Sequence, residues 1–75
     1  MFNVTILNPK HELYEGRAKS VILPGDRGEF EILDFHRPVI SLLKEGSIII
    51  DGKYLAIKRG VAKFHKGELV ALVEE

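Results

Sequence analysis

A chain of 75 residues makes one small domain, near the lower size at which a hydrophobic core holds without staples. It has no cysteine, which excludes disulfides, thiolate metal sites and cysteine nucleophiles, so the fold rests on packing of a sequence that is 45% hydrophobic. Eleven basic and eleven acidic residues cancel, which leaves no global field to hold a phosphate backbone and excludes a dedicated nucleic-acid binder.

Most of the chain repeats with period two. Phe2, Val4 and Ile6 alternate with Asn3 and Thr5, which predicts a first strand, and Asn8-Pro9-Lys10 breaks it. A long second strand is expected over Leu13 to Leu23, with Tyr14, Gly16, Ala18 and Ser20 inward and Glu15, Arg17 and Lys19 outward. Its all-apolar end, Val21-Ile22-Leu23, suits a place where both faces are covered. Pro24-Gly25 fits the centre of a type II turn. Glu29 to Leu33 alternates with Phe30 and Ile32 inward; over Pro38 to Glu45 the spacing of Val39, Leu42 and Leu43 fits a short helix while the branched Val39-Ile40 pair favours a strand, and a strand is the expectation. Ser47 to Ile50, Asp51-Gly52 and Lys53 to Lys58 form a hairpin signal with a type I′ turn. Gly60 separates Tyr54-Leu55-Ala56-Ile57 from Val61 to His65, and Lys66-Gly67 turns into Glu68 to Val73. About 8–10 short strands with turn signals between them predict an all-β fold, a small two-sheet β-sandwich or flattened barrel, as one domain over residues 1–75.

No apolar run is long enough to span a bilayer. The N-terminus has neither a basic region nor a signal-like apolar core, so the chain reads as a soluble protein on the cytoplasmic side, reaching a membrane only through a partner.

Chemistry is hard to place on this pattern. His11, His36 and His65 have no companion ligands at a metal-binding spacing, so solvated or singly hydrogen-bonded imidazoles are expected and no metal site. Glu29 and Glu31 share a strand face, where Arg27 and Arg37 are near in sequence, and a solvated face outweighs acid–base work. Gly25-Asp26-Arg27-Gly28 lacks the Gly-Lys-Ser/Thr ending and the helix of a phosphate-cradling loop. Ser20, Ser41 and Ser47 lie outside any nucleophile elbow. The chain is therefore read as non-catalytic and without a cofactor. Two interaction readings compete on residues alone: a carrier domain of lipoyl or biotinyl type with Lys53 as the modified lysine beside a hairpin turn, and a generic protein-binding β module.

A third reading comes from the chain as a whole. Phe2 to Leu7 precedes Leu13-Tyr14-Glu15-Gly16; Pro24-Gly25, Gly28-Glu29, Ile32-Leu33, His36 and Pro38 then follow in one register, with Leu42-Leu43-Lys44-Glu45-Gly46 and Lys58-Arg59-Gly60-Val61 behind them. In that register the chain resembles the N-terminal β-sandwich domain of the epsilon subunit of F-type ATP synthases (delta in mitochondrial naming). Three departures stand out. Glu31 replaces a glycine, so a backbone conformation reserved for glycine is not expected there. Asp34-Phe35 replaces Pro-Gly, so the approach to the His-x-Pro segment is expected to differ in detail. Arg59 replaces the first glycine of the later pair.

The resemblance implies a central-stalk subunit of a proton- or sodium-translocating ATP synthase that couples the gamma subunit to the membrane c ring. It implies a peripheral location on the cytoplasmic face of the bacterial inner membrane, through the complex only. By position, Gly25, Asp26, Arg27, Gly28, Glu29 and Glu31 resemble the segment that meets the c ring. His36, Pro38, Val39 and Leu42 resemble the segment that packs on gamma, with plain core as the competing role for the apolar ones. The C-terminal helical pair of most family members, which restrains rotation and in some cases binds ATP, has no counterpart in these residues. Coupling without that brake, and without its nucleotide site, is the expectation.

Overall fold

A computed structural model describes all 75 residues, and every regular element in it is a strand. The strands are β1 (Phe2–Leu7), β2 (Glu12–Ala18), β3 (Ser20–Gly25), β4 (Gly28–Leu33), β5 (Val39–Leu43), β6 (Gly46–Ile50), β7 (Lys53–Ile57), β8 (Arg59–His65) and β9 (Glu68–Glu74). All nine join one hydrogen-bonded ladder in the order β2-β1-β9-β8-β5-β3-β6-β7, with β4 on the other edge of β3. β3 meets β5 at a single register pair, Gly25 with Leu43. There the sheet curls over, so that β2-β1-β9-β8-β5 forms one layer and β4-β3-β6-β7 the other. The expected β-sandwich is present, made from one folded-over sheet.

Alternation decides what fills the space between the layers. Sixteen buried apolar side chains contribute, among them Phe2, Val4 and Ile6 from β1, Val21 and Leu23 from β3, Ile48 and Ile50 from β6, and Leu69, Ala71 and Val73 from β9. Phe2 and Phe64 meet edge to face, with ring centroids 5.4 Å apart, which joins β1 to β8 at the centre of the larger layer. Both chain ends are built in, because β1 pairs with β9 in parallel from Asn3–Glu68 to Leu7–Leu72. The strands with a free edge carry charge: Glu12, Glu15 and Arg17 on β2, Glu29 and Glu31 on β4, and Lys53 on β7. Charged edges discourage pairing with a second chain.

Several sequence expectations shift. The long second strand is two strands: β2 pairs with β1 and β3 with β4 and β6, so the chain changes layer at Lys19. The Asp51 carboxylate holds that bend by accepting the Lys19 N–H at 3.1 Å and the Ser20 N–H at 3.0 Å. The Asp51 N–H in turn donates to the Ser20 carbonyl at 3.0 Å. Pro24-Gly25 is not a turn. Both belong to β3, and the turn lies at Asp26-Arg27, where neither residue has the positive φ that a type II turn requires. Gly25 is demanded by space instead: a Cβ there would sit 2.7 Å from the Gly28 carbonyl oxygen and 2.9 Å from the Phe30 ring. Gly60 lies inside β8 and not between strands. Pro38 to Glu45 does yield a strand, β5. The Asp51-Gly52 turn has φ of 46° and 85°, and Lys66-Gly67 has 50° and 75°, the paired positive values of type I′ turns.

Candidate functional site

The tip of the β3–β4 hairpin carries the first group of candidate residues. Gly25 is buried at the end of β3, whereas Asp26, Arg27, Gly28, Glu29 and Glu31 are exposed. Gly28 has φ 128° and open space where a side chain would start, so its backbone conformation selects glycine. Glu31 is extended within β4, as expected where no glycine conformation is used, and accepts a hydrogen bond from the Ser20 hydroxyl at 2.6 Å. Asp26 and Glu29 have no ion-pair partner in the chain. Three carboxylates and one guanidinium thus face solvent on a tight hairpin, an acidic tip whose charges are left for something else to neutralise.

The second group lies on β5 and the loop before it. His36 is half-buried: its ring packs edge-on against Phe64, centroids 5.9 Å apart, and its Nδ1 lies 2.6 Å from the Arg37 carbonyl oxygen. Pro38 is exposed. Strand alternation then separates the two apolar candidates. Val39 points inward and packs on the core, while Leu42 points out and is 62% exposed.

Leu42 does not stand alone. Register places it beside Val61 of β8, Val61 beside Leu72 of β9, and Leu72 beside Leu7 of β1, one apolar row across the outer face of four strands. In the next outward row, Ile40, Lys63 and Val70 follow. Leu42, Val61 and Leu72 form the floor of a shallow groove of about 730 Å³ that Pro9, Asp26 and the Arg59–Glu74 ion pair (3.0 Å) flank. Neither Val61 nor Leu72 is among the contact candidates read from the sequence. The available signal was the run Leu69 to Val73, apolar on both faces in a strand whose outer face has no layer above it.

The two groups adjoin. The Asp26 N–H donates to the Leu42 carbonyl at 3.0 Å, and residues 25–30 and 39–42 line one open hollow of about 550 Å³ between β4 and β5. The arrangement offers neither a nucleophile with its base nor a converging ligand set: no three His, Asp or Glu side chains gather to hold a metal. His11 and His65 are exposed, at a loop and at a strand end. Lys53 opens β7 opposite Ile50 and is not at the apex of its turn, so the carrier-domain reading has no presented lysine to rest on. What the surface can do chemically is dock: an acidic tip beside an apolar row, on a rigid scaffold.

A sequence profile of the family described as "ATP synthase, Delta/Epsilon chain, beta-sandwich domain" matches residues 1–75. The chain belongs to that family. It is 38% identical over 77 residues to the ATP synthase epsilon chain of Campylobacter concisus, with 96% of this chain and 60% of the relative covered. It is 35% identical to the epsilon chains of Campylobacter jejuni and Helicobacter pylori, with 99% of this chain covered and 61% and 63% of theirs. The chain therefore spans about three fifths of the length of these relatives. Among solved structures, the fold is shared with a chain of the Tetrahymena thermophila mitochondrial ATP synthase central stalk and c ring, at a TM-score of 0.80 and 13% identity, over 97% of this chain and 63% of that one. For this ATP synthase family domain no helix is long and apolar enough to cross a membrane.

Proposed function

We propose that this domain is a non-catalytic rotor element of a proton- or sodium-translocating F-type ATP synthase, joining the gamma subunit to the c ring at the membrane surface. The observation that carries the reading is the family match over the whole of residues 1–75, with relatives named ATP synthase epsilon chain. Its surfaces suit the task. The acidic hairpin tip (Gly25, Asp26, Arg27, Gly28, Glu29, Glu31) takes the polar loops of the c ring, where unpaired carboxylates meet basic side chains. His36, Pro38 and Leu42 take gamma, and Leu42 extends into the apolar row with Val61 and Leu72. Val39, half-buried and packed against the core, supports that contact from beneath.

Coupling demands a stiff connector, since compliance would dissipate the rotation it transmits. Both termini held in the sheet, three tight hairpins and the Asp51 tie between layers supply that stiffness. The complex holds the domain peripherally at the cytoplasmic face of the membrane. The test is the double charge reversal Glu29→Lys with Glu31→Lys. The isolated domain keeps its fold, with at most a small drop in melting temperature from the lost Ser20–Glu31 hydrogen bond, because both side chains are exposed, and copurification with the c ring falls while copurification with gamma persists. Undiminished ring attachment and coupling in that variant would remove the role assigned to the tip.

A further inference from the structure

The larger layer ends at β2, which is bonded to β1 alone and leaves its other edge open. The backbone of β1 shows which amides that edge presents. The Asn3 N–H donates to the Gly67 carbonyl at 2.9 Å, on the β9 side, so the odd-numbered residues of β1 serve β9. Its even-numbered residues, Phe2, Val4 and Ile6, therefore serve β2, where Ala18, Gly16 and Tyr14 stand opposite them. The N–H and C=O groups of Glu15 and Arg17 are left pointing away from the sheet. Both side chains are exposed on the outer face, and neither forms an ion pair within the chain. The Arg17 guanidinium makes only a long hydrogen bond to the Met1 carbonyl, at 3.4 Å.

Charge usually closes such an edge, and β4 shows how. Turned antiparallel against a second β4 about Phe30, Glu29 would lie opposite Glu31 twice, like against like. β2 has the same spacing with opposite signs. Turned antiparallel about Gly16, it sets Glu15 opposite Arg17 of a second copy, and Arg17 opposite that copy's Glu15. These are the residues whose backbone groups are free, so each pair exchanges its N–H···O=C bonds in the ordinary antiparallel pattern. Gly16 then meets Gly16 on the two-fold axis as a non-hydrogen-bonded pair, where the strands come closest and a missing side chain fits best. The register is selected as well. Moving to the next hydrogen-bonded register in either direction brings Glu15 against Glu15 or Arg17 against Arg17.

We propose that β2 is a self-recognition edge, through which two copies of this chain pair antiparallel about Gly16 into one continuous sheet. The second copy is identified by charge complementarity and by the amide register, independently of the rotor reading. A pair of short strands is a small contact, so the dimer forms and dissociates with concentration, and salt weakens it. β2 and β5 lie at opposite ends of the larger layer, so self-pairing leaves the acidic tip and Leu42 uncovered.

The test is sedimentation equilibrium of the unaltered chain at concentrations up to about 1 mM, where its average mass rises toward that of two chains. Glu15→Arg and Arg17→Glu each set like charges opposite one another at both pairs and weaken self-association roughly tenfold or more. An equimolar mixture of these two variants brings opposite charges together again and forms the mixed dimer. The double exchange Glu15→Arg with Arg17→Glu restores the self-dimer. Melting of each variant is followed in parallel. Gly16→Cys gives a readout independent of charge: oxidation yields a disulfide-linked dimer, because residue 16 faces its own copy and the chain has no other cysteine. If either charge reversal unfolds the domain, Gly16→Cys decides alone. A chain that stays monomeric at the highest concentration overturns the proposal. So does a dimer that both single reversals leave unchanged, a mixture of folded variants that fails to associate, or a Gly16→Cys chain that does not cross-link.

Discussion

A Cβ placed on Gly60 would run into the Leu72 carbonyl oxygen and lie 2.9 Å from a Val73 methyl group. Backbone cannot move aside as a flexible side-chain tip can, so Gly60→Ala is expected to destabilise the domain by about 1–3 kcal/mol, read as a lower urea midpoint at unchanged m. Asp51 presents a different kind of demand. It supplies positive φ to its turn and a carboxylate to two backbone N–H groups of the layer change. Asp51→Ala loses both and should cost about 1–2 kcal/mol, while Asp51→Asn, which tolerates the same φ and keeps an acceptor, recovers most of it. The Asp51-Gly52 turn was legible in the sequence because turn chemistry is local. The bridge from Asp51 to Lys19 was not, since it joins residues 32 apart through a fold that must already exist. Gly25 shows the same limit: its reason lies in the Phe30 ring and the Gly28 carbonyl oxygen facing it and not in its own torsion angle.

At the level of strands, β5 separates support from contact. Leu43 belongs to the core and Val39, half-buried, packs against it, whereas Ile40 and Leu42 are exposed on the outer face. Val39→Asp is expected to lower the stability of the isolated domain by about 2–3 kcal/mol, because a carboxylate there displaces a side chain packed on the core. On the proposed gamma contact, Leu42→Asp is expected to leave the melting temperature within a degree or two and to abolish gamma binding. Denaturation of each purified variant alongside a gamma-binding titration distinguishes the two. The branched Val39-Ile40 pair made β5 readable as a strand, yet the sequence could not say which of its faces looked inward, because apolar residues occupy both. The partners of Leu42 in the outer row were further still from view. Val61 and Leu72 come beside it only through the β5–β8 and β8–β9 registers.

Over the whole molecule, the class of fold followed from period-two patterning and closely spaced turns, whereas the path of the sheet did not. Nothing local announces that β1 lies parallel to β9, or that β3 is shared between β4 on one edge and β5 and β6 on the other. Those pairings place the acidic tip next to the apolar row and give the domain its two adjoining surfaces. The absence of cysteine makes their assignment directly measurable, since any introduced thiol is the only one in the chain. Leu42→Cys and Glu29→Cys, each carrying a short thiol-directed photo-cross-linker in the assembled enzyme, report their neighbours by mass spectrometry. The account predicts adducts to gamma from position 42 and to the c subunit from position 29; adducts to neither, or the two partners exchanged, would contradict it.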